Sequence, residues 1–230
     1  MPWKDALLDA LALLSPVDCA GCGARDRSLC PSCRATLAPE PTPRQTPGGL
    51  TVITALRYEG IVRRVILAFK EQHRTNVAAA LAAALRPAID RATGASSAAA
   101  IELVAVPTSR SAYRRRGYDP VALLVRRAAS RPARVLVPAR RTAHQKSLGV
   151  QGRRENLTGA FAARGSLTSR RFVVVDDVLT TGATLDEAAR ALRQAGGEVL
   201  AGATLAFTPR WSAFRDIPPA EDYGWAKGAQ

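Results

Sequence analysis

The sequence is poor in several residue types whose presence would commit a chain to a class. It has two histidines, His73 and His144, both expected at the surface, and no histidine, aspartate or glutamate is placed as an obvious general base. It has four cysteines, all between Cys19 and Cys33, so cysteine chemistry is confined to one short segment. No G-x-x-x-x-G-K-[ST] occurs, which removes the P-loop nucleotide hydrolases. No apolar run approaches the ~20 residues that cross a bilayer. Residues 3–14 are apolar but interrupted by Asp5 and Asp9, and no small-residue cleavage site follows Leu14. They read as an amphipathic helix packing Trp3, Leu7, Leu11 and Leu14 rather than as a signal peptide, and the expected location is cytoplasmic. Aromatic residues are 5% of the chain, which leaves few platforms for stacking nucleic-acid bases. Lysine is confined to Lys4, Lys70, Lys146 and Lys227, so arginine carries nearly all the positive charge.

What is present is an apolar fraction of 47% over 230 residues, enough for one sizeable α/β domain and a small appendage. The net charge of +14 implies an anionic partner. Polyphosphate ligands, solubility or an Arg- and Ala-rich proteome explain it as well, and arginine's bidentate contacts keep nucleic acid open.

Cys19-Ala-Gly-Cys22 and Cys30-Pro-Ser-Cys33 form two Cys-x-x-Cys turns, the ligand pattern of a four-thiolate structural zinc site. Redox pairs and disulfides are the alternatives; close spacing without a thioredoxin-like context favours zinc. The expected organisation is an N-terminal helix and finger over 1–38, a Pro/Thr-rich linker over 39–50, one main domain over 51–208 and a loosely held tail over 209–230.

Within the main domain, strand patterns at 51–58, 101–106, 134–137, 172–175 and 198–207 alternate with helical patterns, which predicts a parallel sheet. The most informative stretch is Phe172-Val-Val-Val175-Asp176-Asp177-Val-Leu-Thr180-Thr181-Gly182-Ala183-Thr184. A β-branched run of this kind is a strand buried on both faces. The hydroxyl-rich turn leads into a helix that begins near Leu185. A helix start presents free N–H groups and positive potential, so a phosphate fits there, with Gly182 letting the backbone approach and Thr180, Thr181 and Thr184 donating. Asp176 and Asp177 beside that site call for ligand hydroxyls or a metal-bound group, as in a pentose 5-phosphate with its 2,3-diol. A core strand whose aspartates cap the next helix is the bland alternative. A second anion cradle is read at Pro107-Thr108-Ser109-Arg110 with the Tyr113–Gly117 arginine cluster, which otherwise is a solvated basic face. The unperiodic basic stretch 140–154 and its surroundings carry Gln145, Lys146, Arg154 and Asn156 and read as a loop able to close over a ligand.

The acidic turn resembles the phosphoribosyl-pyrophosphate (PRPP) motif of type I phosphoribosyltransferases. The whole order of blocks from about Leu7 to Phe207 resembles the ComF/GntX family: the cysteine pairs, Tyr58-Glu-Gly60 with Phe69-Lys70, Val106-Pro107 with Arg116-Gly117-Tyr118-Asp119, Arg141 to Phe161, and the acidic turn. The chain has Tyr118-Asp119-Pro120 where the family usually has Phe-Asn-Gln. The resemblance implies a type I phosphoribosyltransferase-like sheet flanked by helices behind a zinc finger. It implies that Asp176 and Asp177 hold ribose hydroxyls, that Thr180 to Thr184 hold the 5-phosphate, and that Pro107 to Arg110 meet pyrophosphate, with Arg116 and Lys70 nearby. It further implies Mg²⁺ with PRPP, phosphoribosyl transfer releasing pyrophosphate, and a link to DNA uptake and natural transformation, with single-stranded DNA and uptake proteins as partners. A non-catalytic DNA-handling protein with a regulatory nucleotide pocket is the alternative.

Overall fold

A computed structural model describes residues 17–25, 27–94, 101–139, 159–209 and 215–216. The expected N-terminal helix and the loop carrying Gln145, Lys146, Arg154 and Asn156 lie outside them.

A six-stranded sheet in the order β3-β6-β7-β2-β1-β8 forms the frame. Its strands are β1 (Thr42–Gln45), β2 (Thr51–Arg57), β3 (Ile101–Ala105), β6 (Arg171–Leu179), β7 (Glu198–Phe207) and β8 (Arg215–Asp216). The β3, β6, β7 and β2 ladders are parallel, while β1 and β8 add antiparallel partners beyond β2. β1 falls inside the stretch expected as a linker; β8 pairs with its Arg44 and Gln45 only, so Pro43 lacks a ladder partner on that side among the described residues. A second, two-stranded sheet pairs β4 (Leu136–Pro138) with β5 (Phe161–Ala163).

The α-helices among the described residues are α1 (Pro31–Ala35), in the cysteine segment, α2 (Gly60–Glu71), α3 (Ala78–Thr93), α4 (Arg110–Arg116), α5 (Pro120–Ala128) and α6 (Ala183–Gln194). None among the described residues is long and apolar enough to cross a membrane. Two buried clusters lie on opposite sides of the main sheet. Val173 and Val175 of β6 join α2, α3 and α5 in one cluster, while Phe172 and Val174 join α6 and the β4–β5 pair in the other. The period-2 alternation of a strand explains this division, and both faces being covered explains the unbroken apolar run. Cys19, Leu29, Cys33 and Leu37 of the cysteine segment belong to the α2 cluster, so that segment packs on the main core.

Candidate functional site: the acidic turn at the carboxyl end of β6

β6 carries its apolar run directly into the acids. Phe172 to Val175 have no exposure, and Asp176 and Asp177 follow as the strand reaches the sheet's carboxyl edge. β3 ends alongside: Ala105 is in register with Val175, and the amide of Val106 donates to the Val175 carbonyl at 2.9 Å. The Pro107 loop therefore leaves β3 next to the acids, in the crevice where open α/β sheets bind ligands.

Alternation turns Asp177 to the same side as Val173 and Val175, the side that α2 covers, and Asp176 to the side of Val174. Accordingly Lys70, at the end of α2, places Nζ 2.7 Å from Oδ2 of Asp177. Burial works to deprotonate Lys70, yet the charge and hydrogen bond of Asp177 outweigh it and raise its pKa. Asp176 is partly exposed, but its carboxyl is densely surrounded. Burial, then the charge of Asp177, pushes its pKa up to about 8, against the amide of Asp177, which donates to Oδ1 at 2.8 Å. Asp176 thus keeps its proton to a higher pH than an ordinary carboxyl.

The turn after β6 is shaped by Gly182, in the left-handed region at φ 79° as the residue capping α6. Thr181 Oγ1 accepts from the amide of Ala183 at 3.1 Å. The amides of Thr184 and Leu185, in the first turn, precede any intrahelical carbonyl and can face an anion. A Cβ on Gly182 would come within 2.7 Å of Thr46 Cγ2, because the β1–β2 turn presses on the helix start. That turn is fastened there: Thr46 Oγ1 donates to Asp186 Oδ1, and the Gly48 amide donates to Asp186 Oδ2 at 2.9 Å.

The second cradle is built by Asp119. Its Oδ1 caps α5 by accepting from the Ala122 amide at 2.9 Å, and its Oδ2 accepts from the Thr108 amide at 3.2 Å, fixing the Pro107–Arg110 loop. Ser109 caps α4 through the Ala112 amide at 3.3 Å. The arginine cluster is thus a helix, closed by Gly117 at φ 74°. Arg116 points inward, its side chain 10% exposed, and pairs with Glu71. Tyr118 donates its hydroxyl to the Phe69 carbonyl and packs its ring 5.6 Å from that of Phe69. His73, far from any general-base role, is exposed and contacts the Arg115 carbonyl at 3.0 Å through Nε2.

Lys70, Arg116, Asp176, Asp177 and Thr180 to Thr184 are therefore brought to one edge, with Pro107 to Arg110 beside them. Glu71, Asp119 as an anchor for Thr108, and the Thr46–Asp186 fastening are additions that sequence reading missed. Only the Asp119 cap carried a local signal; the others connect residues distant in the chain.

The four cysteine sulfurs lie within 4.8 Å of one another, and Cys22 and Cys30 Sγ are 3.7 Å apart. A tetrahedron of thiolates about 2.3 Å from a metal has edges of about 3.8 Å, so the set can hold one metal ion. The cysteines are free of disulfides, and the amides of Gly21 and Cys30 point at Cys19 Sγ from 3.4 and 3.3 Å. Burial opposes ionisation of Cys19, but those amides and that of Cys22 bring its thiol down to about 6; burial pushes Cys33 upward.

Residues 115–220 match the phosphoribosyl transferase domain family. The chain is 30% identical over 192 residues to the DNA utilization protein YhgH of Escherichia coli O157:H7, covering 77% of this chain and 83% of that one. The Salmonella typhimurium protein of the same name is 29% identical over 182 residues, 74% of this chain and 79% of its own. Competence protein F of Haemophilus influenzae is 32% identical over 104 residues, 42% of this chain and 45% of its own. With the parallel sheet, the acidic turn and the four-cysteine cluster in their expected order, the chain belongs to the ComF/GntX family.

Proposed function

We propose that the protein binds PRPP with Mg²⁺ at the carboxyl edge of β3 and β6 and transfers the phosphoribosyl group to an acceptor, releasing pyrophosphate. The observation that carries this reading is the juxtaposition of Asp176 and Asp177 with the left-handed Gly182 and the start of α6. The 5-phosphate is held by the first-turn amides and by Thr180, Thr181 and Thr184, at the positive end of the helix dipole. The two carboxyls take the ribose 2- and 3-hydroxyls. Thr108, Ser109 and Arg110 meet the pyrophosphate, with Lys70 and Arg116 supplying charge-assisted contacts. The hard oxygen donors of this edge suit Mg²⁺, which neutralises pyrophosphate charge when bound. The C1–O bond to pyrophosphate breaks as the acceptor bond forms, and fixed charges stabilise the cation-like ribosyl centre. The cysteine cluster is read as a structural zinc site, since four thiolates leave no open ligand position.

Calorimetric titration with PRPP and Mg²⁺ tests the site. Binding is expected in the native protein and lost in the Asp176→Asn/Asp177→Asn double variant; equal binding by both refutes the assignment. A pyrophosphate-release screen across nucleobases then identifies the acceptor. A second reading has the same pocket serving as a nucleotide sensor in a protein that handles single-stranded DNA. It is favoured by the net charge of +14 and by Tyr113, 51% exposed beside the α4 arginines. It predicts salt-sensitive single-strand binding without pyrophosphate release.

A further inference from the structure

The last turn of α2 and the residues just beyond it contact the acidic pair, the α4 arginine helix and the cysteine segment. The Phe69 carbonyl accepts from Tyr118; Lys70 pairs with Asp177; Glu71 pairs with Arg115 and Arg116; His73 Nε2 meets the Arg115 carbonyl. Arg74, next in line, turns the other way. Its Nη2 donates to the carbonyl of Asp18, just before Cys19, and reaches that of Ser28, between the two Cys-x-x-Cys turns, at 3.5 Å. His73 stands at φ 59°, a conformation rare for a residue with a side chain, between Lys70 and Glu71, which meet Asp177 and the α4 arginines, and Arg74, which meets the cysteine segment. At the opposite end of α2 the cysteine segment presses just as closely: a Cβ on Gly21 would come within 2.6 Å of Cys33 Sγ and 2.9 Å of Ile61 Cγ2. The helix that presents Lys70 and Glu71 is thus held against the cysteine segment at both ends.

We propose that Arg74 is a positioning residue for the sugar-phosphate site: it docks the metal-bearing segment against the turn that presents Lys70 and Glu71, so metal retention and PRPP binding favour the same arrangement of that turn. This inference rests on the PRPP reading above. The carbonyl of Asp18 precedes Cys19 and that of Ser28 lies in the loop joining Cys22 to Cys30, so their placement depends on the fold that a bound metal would close. Coupling between two sites is reciprocal in binding free energy: a ligand that fixes the turn must strengthen metal binding by the factor that the metal strengthens the ligand, and with metal association unchanged that factor falls on the release rate.

The test uses the zinc-loaded full chain and follows zinc released to a coloured chelator, with and without PRPP and Mg²⁺ in excess of the chelator. PRPP is expected to slow release about fivefold, the low end of ordinary coupling. Arg74→Ala should purify with one zinc per chain, release it at one rate whether or not PRPP is present, and bind PRPP about fivefold more weakly. Arg74→Lys, which keeps a donor for the two carbonyls, should restore part of the slowing. Arg91→Ala, which removes a comparable bond to the Pro41 carbonyl away from the cysteines, should leave it intact. Saturable PRPP binding with no effect on zinc release overturns this inference alone, as does an Arg74→Ala protein that retains the full effect. Absence of PRPP binding to the native chain overturns the proposed function and this inference with it.

Discussion

Replacing Gly182 by alanine is the sharpest test of how the turn into α6 is built. The substitution acts through two separable costs. A side chain at φ 79° pays about 1–2 kcal/mol for the left-handed conformation. The new Cβ then meets Thr46 Cγ2 at 2.7 Å, Thr46 Cβ at 2.9 Å and Pro47 Cδ at 3.3 Å. Thr46 cannot easily yield: it is 4% exposed, its Oγ1 donates to Asp186, and the same oxygen accepts from the Leu50 amide at 3.0 Å. Overpacking against such a neighbour costs about 1–3 kcal/mol, which brings the total to roughly 2–5 kcal/mol. Gly165 supplies the control, since it has φ 71° and no atom within 4 Å of its would-be Cβ. Gly165→Ala should therefore lose only the first part, about 1–2 kcal/mol. Urea unfolding of both variants, with unchanged slopes, gives the two losses directly. Calorimetry should find PRPP binding weakened in Gly182→Ala and untouched in Gly165→Ala. Equal losses of stability in the two would refute the close approach of the β1–β2 turn to α6.

Three further outcomes follow from single side chains. Tyr118→Phe keeps the ring contact with Phe69 but removes the hydroxyl that donates to its carbonyl, so stability should fall by about 1 kcal/mol, read as a lower urea midpoint. Asp176 holds its proton in the folded state up to about 8, whereas the unfolded chain releases it near 3.8, so the native state binds more protons between those values and ligand-free stability should fall as pH rises through that window. Asp176→Asn should flatten that slope and raise the urea midpoint at pH 8; a slope unchanged by the variant refutes the assignment. Thr204 Oγ1, fully buried in β7, has no hydrogen-bond partner among the described residues, so the isosteric Thr204→Val should be neutral or stabilising in thermal melts, and a destabilised variant would show that the hydroxyl is engaged.

The strands and long helices were legible because their signals are local. The β-branched run before Asp176 marks β6, and the Asp119-Pro120 pair marks the start of α5, as observed. The arginine cluster hid α4, since its charge read as part of an anion cradle or else as a solvated face; Ser109 and Gly117 were the capping signals that delimit it. β1 was hidden by Pro41 and Pro43, which read as a linker, and its pairing depends on β2 and on the distant β8. The acids and the Gly182 turn into α6 were legible for the same local reason as β6. The partners that tune them were not: Lys70 reaches Asp177, and Thr46 reaches Asp186, across separations that no periodicity encodes.

The order of strands has a consequence for synthesis. β2 leaves the ribosome early, yet its parallel neighbour β7 is the last long strand to appear, and β3 and β6 must slot in beyond β7. Until β7 arrives, β2 has only the short β1 to shield one flank, and its other flank is open to strand pairing with foreign chains. The stretch 115–220, by which the family is recognised, contains neither β2, β3, α2 nor α3. The portion that carries the signature is thus not a portion that can close a sheet by itself, and excision at those limits should yield an insoluble fragment.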